Sequence, residues 1–214
     1  MTPAESVAEV VARDLLRIGA VALRPDAPFT WASGRLAPVY TDNRLALSYA
    51  DVRSRIADGL ADLARPLAPD AVAGVATAGI PHAALVAERL GLPLCYVRAS
   101  AKGHGRQNRI EGRVTPGARV VLVEDLVSTG GSVLTAAEAL REAAAEPVAA
   151  LAVFSYGFAE ADAAFAAAGL PLHTLTTFEA LARVAREDGS LSDADLDALA
   201  AWRADPAAWS RDRG

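Results

Sequence analysis

The sequence predicts an α/β domain built on a parallel sheet with helices on both faces. Short apolar runs at residues 71–76, 120–123 and 148–154 are typical of strands buried on both faces of a sheet. A small-residue turn and a helical apolar pattern follow the first two runs, which is the repeat expected of a parallel sheet. The length of 214 residues suits one such domain with a small appendage.

Composition and charge exclude several classes of protein. The hydrophobic content of 52% indicates a folded chain, and a formal net charge of −5 argues against nucleic acid or an anionic membrane as a partner. The single cysteine, Cys95, lies in an apolar run, which favours a core residue in a reducing compartment. No apolar stretch reaches the roughly 18 residues that a membrane-spanning helix needs. We therefore expect a cytoplasmic protein.

The N-terminal part is predicted to form a helix, a short strand and a hairpin. Residues 2–5, Thr-Pro-Ala-Glu, have the spacing of a capping box and predict a helix start. Residues 20–23 have the composition of a short strand. Within residues 28–40, two strand-like runs flank a turn at Ser33 and Gly34, which predicts a hairpin.

A second helix and a small-residue turn follow. Residues 48–51 predict the start of a helix, and prolines end it before the strand at 71–76. The next residues, 77–81, are Thr-Ala-Gly-Ile-Pro, and small residues between a buried strand and a helix can bind an anion through backbone N–H groups. His82, in the first turn of this helix, is expected to be at the surface or half-buried and not a ligand.

Residues 98–109 form a basic, glycine-punctuated segment in an acidic protein. This segment follows a strand predicted at residues 92–98 and has few apolar side chains. A run of charges is usually a solvated loop. Its length, its glycines and its place between two buried strands instead predict a mobile functional loop.

Residues 119–133 combine a strand, two carboxylates, a glycine-rich turn and the start of a helix. Glu124 and Asp125 follow the apolar run, and Ser-Thr-Gly-Gly-Ser at residues 128–132 leads into the helical pattern. Backbone N–H groups of the turn and the helix N-terminus can bind a phosphate dianion. The carboxylates can accept hydrogen bonds from vicinal hydroxyls or help to hold a hydrated Mg²⁺. The pattern therefore predicts a site for a phosphorylated sugar.

Two other phosphate-binding motifs are excluded at this position. The sequence has no G-x-x-x-x-G-K-[ST], and no lysine follows the glycines. It also has no G-x-G-x-x-G, and its acidic pair precedes the glycines.

The C-terminal third is predicted to alternate strands and helices. The strand at residues 148–154 ends in Ser-Tyr-Gly, and a short alanine-rich helix and a strand at 172–175 follow. Residues 176–179, Thr-Thr-Phe-Glu, predict a helix start by a capping box. Gly189 ends that helix, and residues 192–202 predict a last helix before a polar tail.

These motifs together resemble those of a known enzyme family. The stretch at 119–133 resembles the phosphoribosyl-diphosphate (PRPP) signature of type I phosphoribosyltransferases. The segment F-T-W-x-S-G, beginning at Phe29, resembles the hood over the base in orotate phosphoribosyltransferases, and Y-x-R-x-x-x-K-x-H-G, beginning at Tyr96, resembles their catalytic loop. The resemblance implies a type I phosphoribosyltransferase fold with a small N-terminal hood, and an enzyme that makes orotidine 5′-monophosphate from orotate and PRPP for pyrimidine synthesis.

The resemblance also implies roles for individual residues. It implies Lys102, Asp125 and Glu124 as catalytic groups, Mg²⁺ held mainly by PRPP with Asp125 as its one candidate protein contact, and a homodimer with shared active sites. The residues that it places at PRPP are Arg98, Lys102, His104, Glu124, Asp125, Leu126, Val127, Ser128, Thr129, Gly130, Gly131 and Ser132. Those that it places at orotate are Phe29, Thr30, Ser33, Gly34 and Ser128.

The chain departs from the family pattern at three positions. Some orotate enzymes have lysine where this chain has Ala78, so diphosphate contact there relies on the backbone. Ala99 replaces a second lysine of the catalytic loop, and no arginine lies near Tyr156, where some relatives bind orotate.

Two alternative functions and a division of the chain complete the predictions. A purine phosphoribosyltransferase is disfavoured by F-T-W-x-S-G and K-x-H-G, and a PRPP-sensing transcription regulator by the lack of a basic face or a nucleic-acid-binding extension. We expect the N-terminal helix and hood at residues 1–45, the PRPP-binding core at 46–190 and a C-terminal helix and tail at 191–214.

Overall fold

The computed structural model describes residues 6–31, 34–99 and 109–213. The chain divides into two compact units, and the first combines both ends of the chain, Met1–Val52 and Thr176–Gly214. The second unit is Arg53–Leu175. The division predicted at residues 45 and 190 follows motifs along the chain and stays a prediction.

The described residues alternate strands and helices in the predicted manner. None of their helices is long and apolar enough to cross a membrane. The helices are α1 (Val7–Arg17), α2 (Ala50–Ala64), α3 (Gly79–Leu90), α4 (Gly131–Glu142), α5 (Ala159–Ala167), α6 (Phe178–Glu187), α7 (Asp193–Ala204) and α8 (Pro206–Arg211). The strands are β1 (Val21–Leu23), β2 (Phe29–Thr30), β3 (Leu36–Ala37), β4 (Val39–Thr41), β5 (Ala71–Val75), β6 (Leu94–Val97), β7 (Ile110–Glu111), β8 (Arg119–Val127), β9 (Glu146–Ser155) and β10 (Leu172–Thr177).

A six-stranded sheet forms the centre of the fold, in the order β10-β9-β8-β5-β6-β7. β5 pairs in parallel with β6 and β8, and β8 pairs in parallel with β9. The short edge strand β7 is antiparallel to β6 and was missing from the sequence prediction. Two residues are too few to give a strand pattern by themselves, so β7 depends on pairing with its neighbour.

The central strands are buried because helices cover the sheet. All five residues of β5 are buried, as are Val120 to Glu124 of β8, which confirms the prediction of strands without alternation. One core cluster joins strand residues such as Leu122 to α4 and α5 through Leu140 and Phe165. Cys95 is buried as predicted, and burial raises the pKa of its thiol to about 11.

The first unit contains α1 and the predicted hairpin. α1 begins after Ser6, which forms a capping box with Glu9, so the described helix starts later than the spacing at residues 2–5 predicts. Residues 2–5 lie outside the described residues. β2 and β3 pair antiparallel around the Gly34 turn, which confirms the hairpin, and β1 pairs with β4.

The C-terminal residues differ from the sequence prediction in two places. The N-cap of α6 is Thr177, one residue later than predicted, because the Thr176 hydroxyl instead donates to the carbonyl of Ala8 at 2.8 Å. The expected polar tail is wrong, since α8 begins after an Asp205 N-cap and buries Trp209. Asp-Pro at residues 205–206 is itself a helix-start signal that was overlooked.

Candidate active site

The acidic pair lies at the carboxyl end of β8. The Glu124 side chain is buried, and Asp125 is half-buried at the edge of the strand. The Ser132 hydroxyl donates to Glu124 Oε2 at 3.3 Å, and the Asp125 backbone N–H donates to Glu124 Oε1 at 3.0 Å. The carboxyl ends of parallel strands are where α/β proteins bind ligands, so the pair has the position that the sequence predicts for a sugar site.

The environment of Glu124 favours its protonated form. Burial is the main cause, and the neighbouring Asp125 carboxylate adds to it, so that the pKa of Glu124 rises to about 8. The hydrogen bonds from Ser132 and from the Asp125 backbone lower this pKa but do not outweigh burial. A protonated Glu124 beside the Asp125 side chain would give the pair both a hydrogen-bond donor and acceptors.

The glycine-rich turn joins the end of β8 to the start of α4. Ser128, Thr129 and Gly130 form the turn, and Gly130 is the N-cap of α4 with a φ of 83°. A β-carbon at Gly130 would lie 2.6 Å from Cε2 of Phe165, so both the backbone conformation and the packing require glycine. The predicted phosphate-binding residues thus divide between the strand end (Leu126, Val127), the turn (Ser128, Thr129, Gly130) and the first turn of α4 (Gly131, Ser132).

A second small-residue turn lies between β5 and α3. It spans Ala76 to Ala78, contains a cis peptide bond between Ala76 and Thr77, and leads into α3 at Gly79. A β-carbon at Gly79 would collide with the carbonyl oxygen of Val123. Glycine therefore lets the start of α3 approach the backbone of β8 directly beside the acidic pair, and this brings the two predicted anion turns to one end of the sheet.

A cavity of about 180 Å³ lies between these elements. Its lining includes Ala76 from the second turn, Arg98 from the end of β6, and Gly131, Ser132 and Thr135 from the start of α4. The cavity thus joins a helix N-terminus, a cationic side chain and a small-residue turn. All three are groups that bind phosphate oxygens.

Arg98 is the predicted catalytic-loop residue that the structure describes. It follows β6, and its Nη1 lies 3.4 Å from Oε1 of Glu111 on β7. Glu111 was not among the predicted site residues, because the two-residue strand β7 has no sequence pattern of its own. Lys102 and His104 lie outside the described residues.

The predicted hood residues belong to the first unit. Phe29 and Thr30 form β2, and Gly34 has the positive φ of 81° that the predicted turn requires. Ser33 lies outside the described residues. Within this unit, Trp31 packs edge-on against Trp202 of α7 at 5.9 Å, and the Ser210 hydroxyl of α8 accepts from the Leu36 backbone N–H at 2.9 Å. The predicted helix α7 and the unpredicted helix α8 therefore both support the hairpin.

The side chains of Tyr156 and His82 are both buried. Tyr156 packs edge-on against Phe154 at 5.0 Å and stacks on Phe158 at 5.3 Å, so its ring belongs to an aromatic row. The prediction of a surface or half-buried His82 is wrong, because the side chain is fully buried on the inner face of α3. Burial lowers the pKa of His82. Its spacing from Gly79 and Val86 on one helix face is the signal that indicated burial.

A larger cavity of about 560 Å³ lies between α6 and α7 in the first unit. Its floor is apolar, with Phe178 and Leu199 as large members. Its three arginines each pair with a carboxylate of the same unit, which leaves an apolar groove with a neutralised rim. The pairs are Arg183 with Glu9, Arg186 with Asp193 and Arg203 with Glu179.

Comparisons with known proteins agree with this geometry. The phosphoribosyl transferase domain matches residues 45–163, which include both turns and the acidic pair. The orotate phosphoribosyltransferase of Staphylococcus saprophyticus is 51% identical over 199 residues, covering 92% of this chain and 98% of that protein.

Solved structures give the same result. The orotate phosphoribosyltransferase of Aeropyrum pernix has a TM-score of 0.73 and 34% identity, covering 85% of this chain and 99% of that one. The Mycobacterium tuberculosis orotate phosphoribosyltransferase, solved in complex with PRPP, has a TM-score of 0.65 and 25% identity over 82% of this chain and 99% of its own. About half of all positions are identical along nearly the whole length of a relative, and this identity shows the family. The chain belongs to the orotate phosphoribosyltransferase family of phosphoribosyltransferases.

Proposed function

We propose that the protein transfers the phosphoribosyl group of PRPP to orotate, giving orotidine 5′-monophosphate and diphosphate for pyrimidine synthesis. The observation that carries this proposal is that an acidic pair, with Glu124 buried and Asp125 half-buried, leads into a glycine-rich turn at a helix N-terminus, beside a second small-residue turn. A single PRPP molecule, with a phosphate at one end of the sugar and a diphosphate at the other, would contact all three features.

The 5′-phosphate of PRPP would bind at the turn that begins α4. Backbone N–H groups at Thr129 to Ser132 and the positive end of the helix dipole favour a dianion. The hydroxyls of Ser128, Thr129 and Ser132 add donors that need no charge. Binding energy at this remote phosphate would position the anomeric carbon for reaction.

The acidic pair would bind the ribose hydroxyls. Because Glu124 holds a proton near neutral pH, the pair can accept a hydrogen bond from one hydroxyl and donate to another. The remaining negative charge lies near the sugar ring. It would stabilise the positive charge that develops on the ring as the bond to diphosphate breaks.

The leaving diphosphate would lie along the cavity lined by Ala76 and Arg98. In the reaction the anomeric C–O bond breaks with its electron pair going to diphosphate. The ring nitrogen of orotate loses its proton to solvent and forms the new bond to the anomeric carbon. Arg98 would stabilise the departing anion, and Lys102 and His104 would add cations, as the family resemblance implies. Water must be kept from the cationic sugar, which is the task we assign to residues 98–109.

The acidic pair also fits a Mg²⁺ ion that is brought by the substrate. Among the described residues no three His, Cys, Asp or Glu side chains come together as a metal site. Mg²⁺ commonly binds one or two carboxylates together with substrate phosphates, and Asp125 could serve as such a contact. When bound, the ion would neutralise negative charge on the diphosphate.

Orotate would be recognised by the hood. We assign Phe29, Thr30, Ser33 and Gly34 to this role, with Ser128 reaching the base from the phosphate turn. We further propose a homodimer in the cytoplasm, in which Lys102 and His104 complete the neighbouring subunit's site.

A spectrophotometric assay tests this function. Orotate absorbance should change on addition of PRPP and Mg²⁺, and omission of Mg²⁺ should abolish the change. The proposal fails if orotate is not consumed, and a purine phosphoribosyltransferase is indicated instead if adenine, guanine or hypoxanthine is consumed with release of diphosphate.

A further inference from the structure

Arg98 needs a partner if it is to act on diphosphate. An arginine side chain has many rotamers, and each hydrogen bond that it forms to a ligand costs less when the guanidinium is already oriented. Arg98 directly follows β6, and its side chain is 29% exposed. Main-chain pairing fixes the backbone of Arg98 but does not orient its guanidinium.

The edge strand β7 places a carboxylate beside this arginine. β7 pairs with β6 so that Ile110 lies opposite Val97 and Glu111 opposite Tyr96. Ile110 is buried in the core, and because side chains alternate along a strand, Glu111 points away from that core.

Two backbone features hold Glu111 in register with Arg98. The Arg98 backbone N–H donates to the carbonyl of Arg109 at 2.8 Å, which extends the pairing beyond β6. Gly112 has a φ of 101°, and a β-carbon there would lie 3.2 Å from both Cα and Cβ of Cys95. The strand is therefore packed closely onto β6, and a one-residue shift would bury Glu111.

The Arg98 side chain, which lines the cavity, contacts the Glu111 side chain. Arg98 Nη1 and Glu111 Oε1 are 3.4 Å apart, and both side chains are about one-third exposed, at 29% and 31%. A guanidinium has five N–H donors in a planar fork, so one contact to a carboxylate orients the group while the fork can still bind phosphate oxygens.

We propose that Glu111 is a positioning residue that orients the Arg98 guanidinium for the diphosphate of PRPP. The inference rests on the proposed function, because Arg98 must itself contact PRPP. The Glu111 carboxylate would also repel diphosphate, and this repulsion predicts the opposite sign when the carboxylate is removed. The two effects are therefore distinguished by the direction of change in PRPP affinity.

The test combines steady-state kinetics with calorimetric titration of PRPP. Glu111→Ala should raise the KM for PRPP and weaken PRPP binding by about tenfold, because the orienting contact is lost. Glu111→Gln keeps an oxygen that can accept the same hydrogen bond and should change both by only about twofold. The KM for orotate should stay within about twofold of wild type in both variants, whereas kcat should fall in Glu111→Ala, since Arg98 also acts on the departing diphosphate.

Glu142→Ala is the matched control. Glu142 pairs with Arg109, the residue just before β7, at 3.0 Å. It is therefore a second carboxylate near this edge of the sheet, but its partner is Arg109 and not Arg98. Its loss should leave PRPP binding unchanged. In an Arg98→Ala background, Glu111→Ala should not weaken PRPP binding any further, since a positioning residue acts only through its partner.

The outcomes separate the inference from the function on which it rests. If the wild-type protein binds no PRPP, the proposed function and the inference both fail. If Arg98→Ala binds PRPP as well as wild type, the role of Arg98 fails and that of Glu111 with it. If only Glu111→Ala binds as well as wild type or more tightly, or if Glu142→Ala is equally impaired, the positioning role alone is overturned.

Discussion

The Glu124 carboxyl group is in an environment that destabilises its charged form. Burial raises its pKa from 4.5 to about 8, so the folded protein holds this proton more tightly than the unfolded chain does. Its contribution to the free energy of unfolding is therefore complete below pH 4.5 and is lost as the pH rises toward 8. A buried ionisable group that lowers the free energy of unfolding near neutral pH is typical of a functional site, where a bound ligand can offset this loss of stability.

Replacing Glu124 with glutamine should remove this pH dependence. Above pH 8, Glu124→Gln should be more stable than wild type by at least ~1 kcal/mol, because the neutral amide has no charge to desolvate. Below pH 4.5 the difference should disappear. Urea unfolding from pH 4 to 9 measures the effect, with the exposed Glu146→Gln as a control; parallel curves for Glu124→Gln and wild type would contradict the raised pKa.

Replacing Asp125 with asparagine should affect turnover and not the fold. Loss of the carboxylate weakens stabilisation of the developing positive ring, and we expect kcat to fall by ~100-fold or more. The exposed Asp197→Asn in α7 is the control and should keep full activity. A wild-type kcat for Asp125→Asn, together with an unchanged circular dichroism spectrum, would remove Asp125 from the mechanism.

At the scale of elements, the glycine-rich turn at the start of α4 depends on packing between α4 and α5. Gly130→Ala should destabilise the protein by about 2–4 kcal/mol, since it combines an unfavourable left-handed backbone with a clash against Phe165. It should also abolish PRPP binding, because the backbone N–H groups of the turn would move. Thermal unfolding and calorimetric titration of PRPP measure the two effects.

Substitutions at Gly117 and Gly131 separate the effect of the left-handed backbone from the effect of the clash with Phe165. Gly117 also has a positive φ, of 78°, but no atom lies within 4 Å of a β-carbon there, so Gly117→Ala should cost only about 1–2 kcal/mol and leave PRPP binding intact. Gly131 has no positive φ, and a β-carbon there would be 3.9 Å from the Thr129 hydroxyl. If Gly130→Ala behaves like Gly117→Ala, packing against Phe165 does not determine the turn.

At the scale of the whole molecule, the proposed dimer with shared active sites can be tested by mixing two inactive variants. Lys102→Ala and Asp125→Ala should each be nearly inactive alone. If Lys102 acts in the neighbouring site, each mixed dimer has one doubly defective site and one intact site. Co-refolding equal amounts should then restore about a quarter of wild-type activity.

A mixture that cannot regain an intact site provides the control. Asp125→Ala mixed with Asp125→Asn leaves a defect in every site, whatever the arrangement of Lys102. The shared-site dimer is excluded if mixed Lys102→Ala and Asp125→Ala dimers form, as shown with differently tagged subunits, and no activity returns.

Local patterns determined much of the fold and of the site. Continuous apolar runs indicated buried strands, and β5 and β8 confirm this because a strand covered on both faces needs no polar alternation. The order of strand, acidic pair, glycine turn and helix at residues 119–133 placed the carboxylates and the turn correctly. Each of these features depends on neighbours within a few residues along the chain.

Tertiary structure alone decided the features that depend on distant partners. β7 exists through pairing with β6, α8 is anchored by burial of Trp209, and His82 is buried because α3 packs on the sheet. Glu111 meets Arg98 for the same reason, across thirteen residues of chain. A sequence pattern records the preference of each segment, whereas the partner that each side chain meets is set by which strands and helices become neighbours.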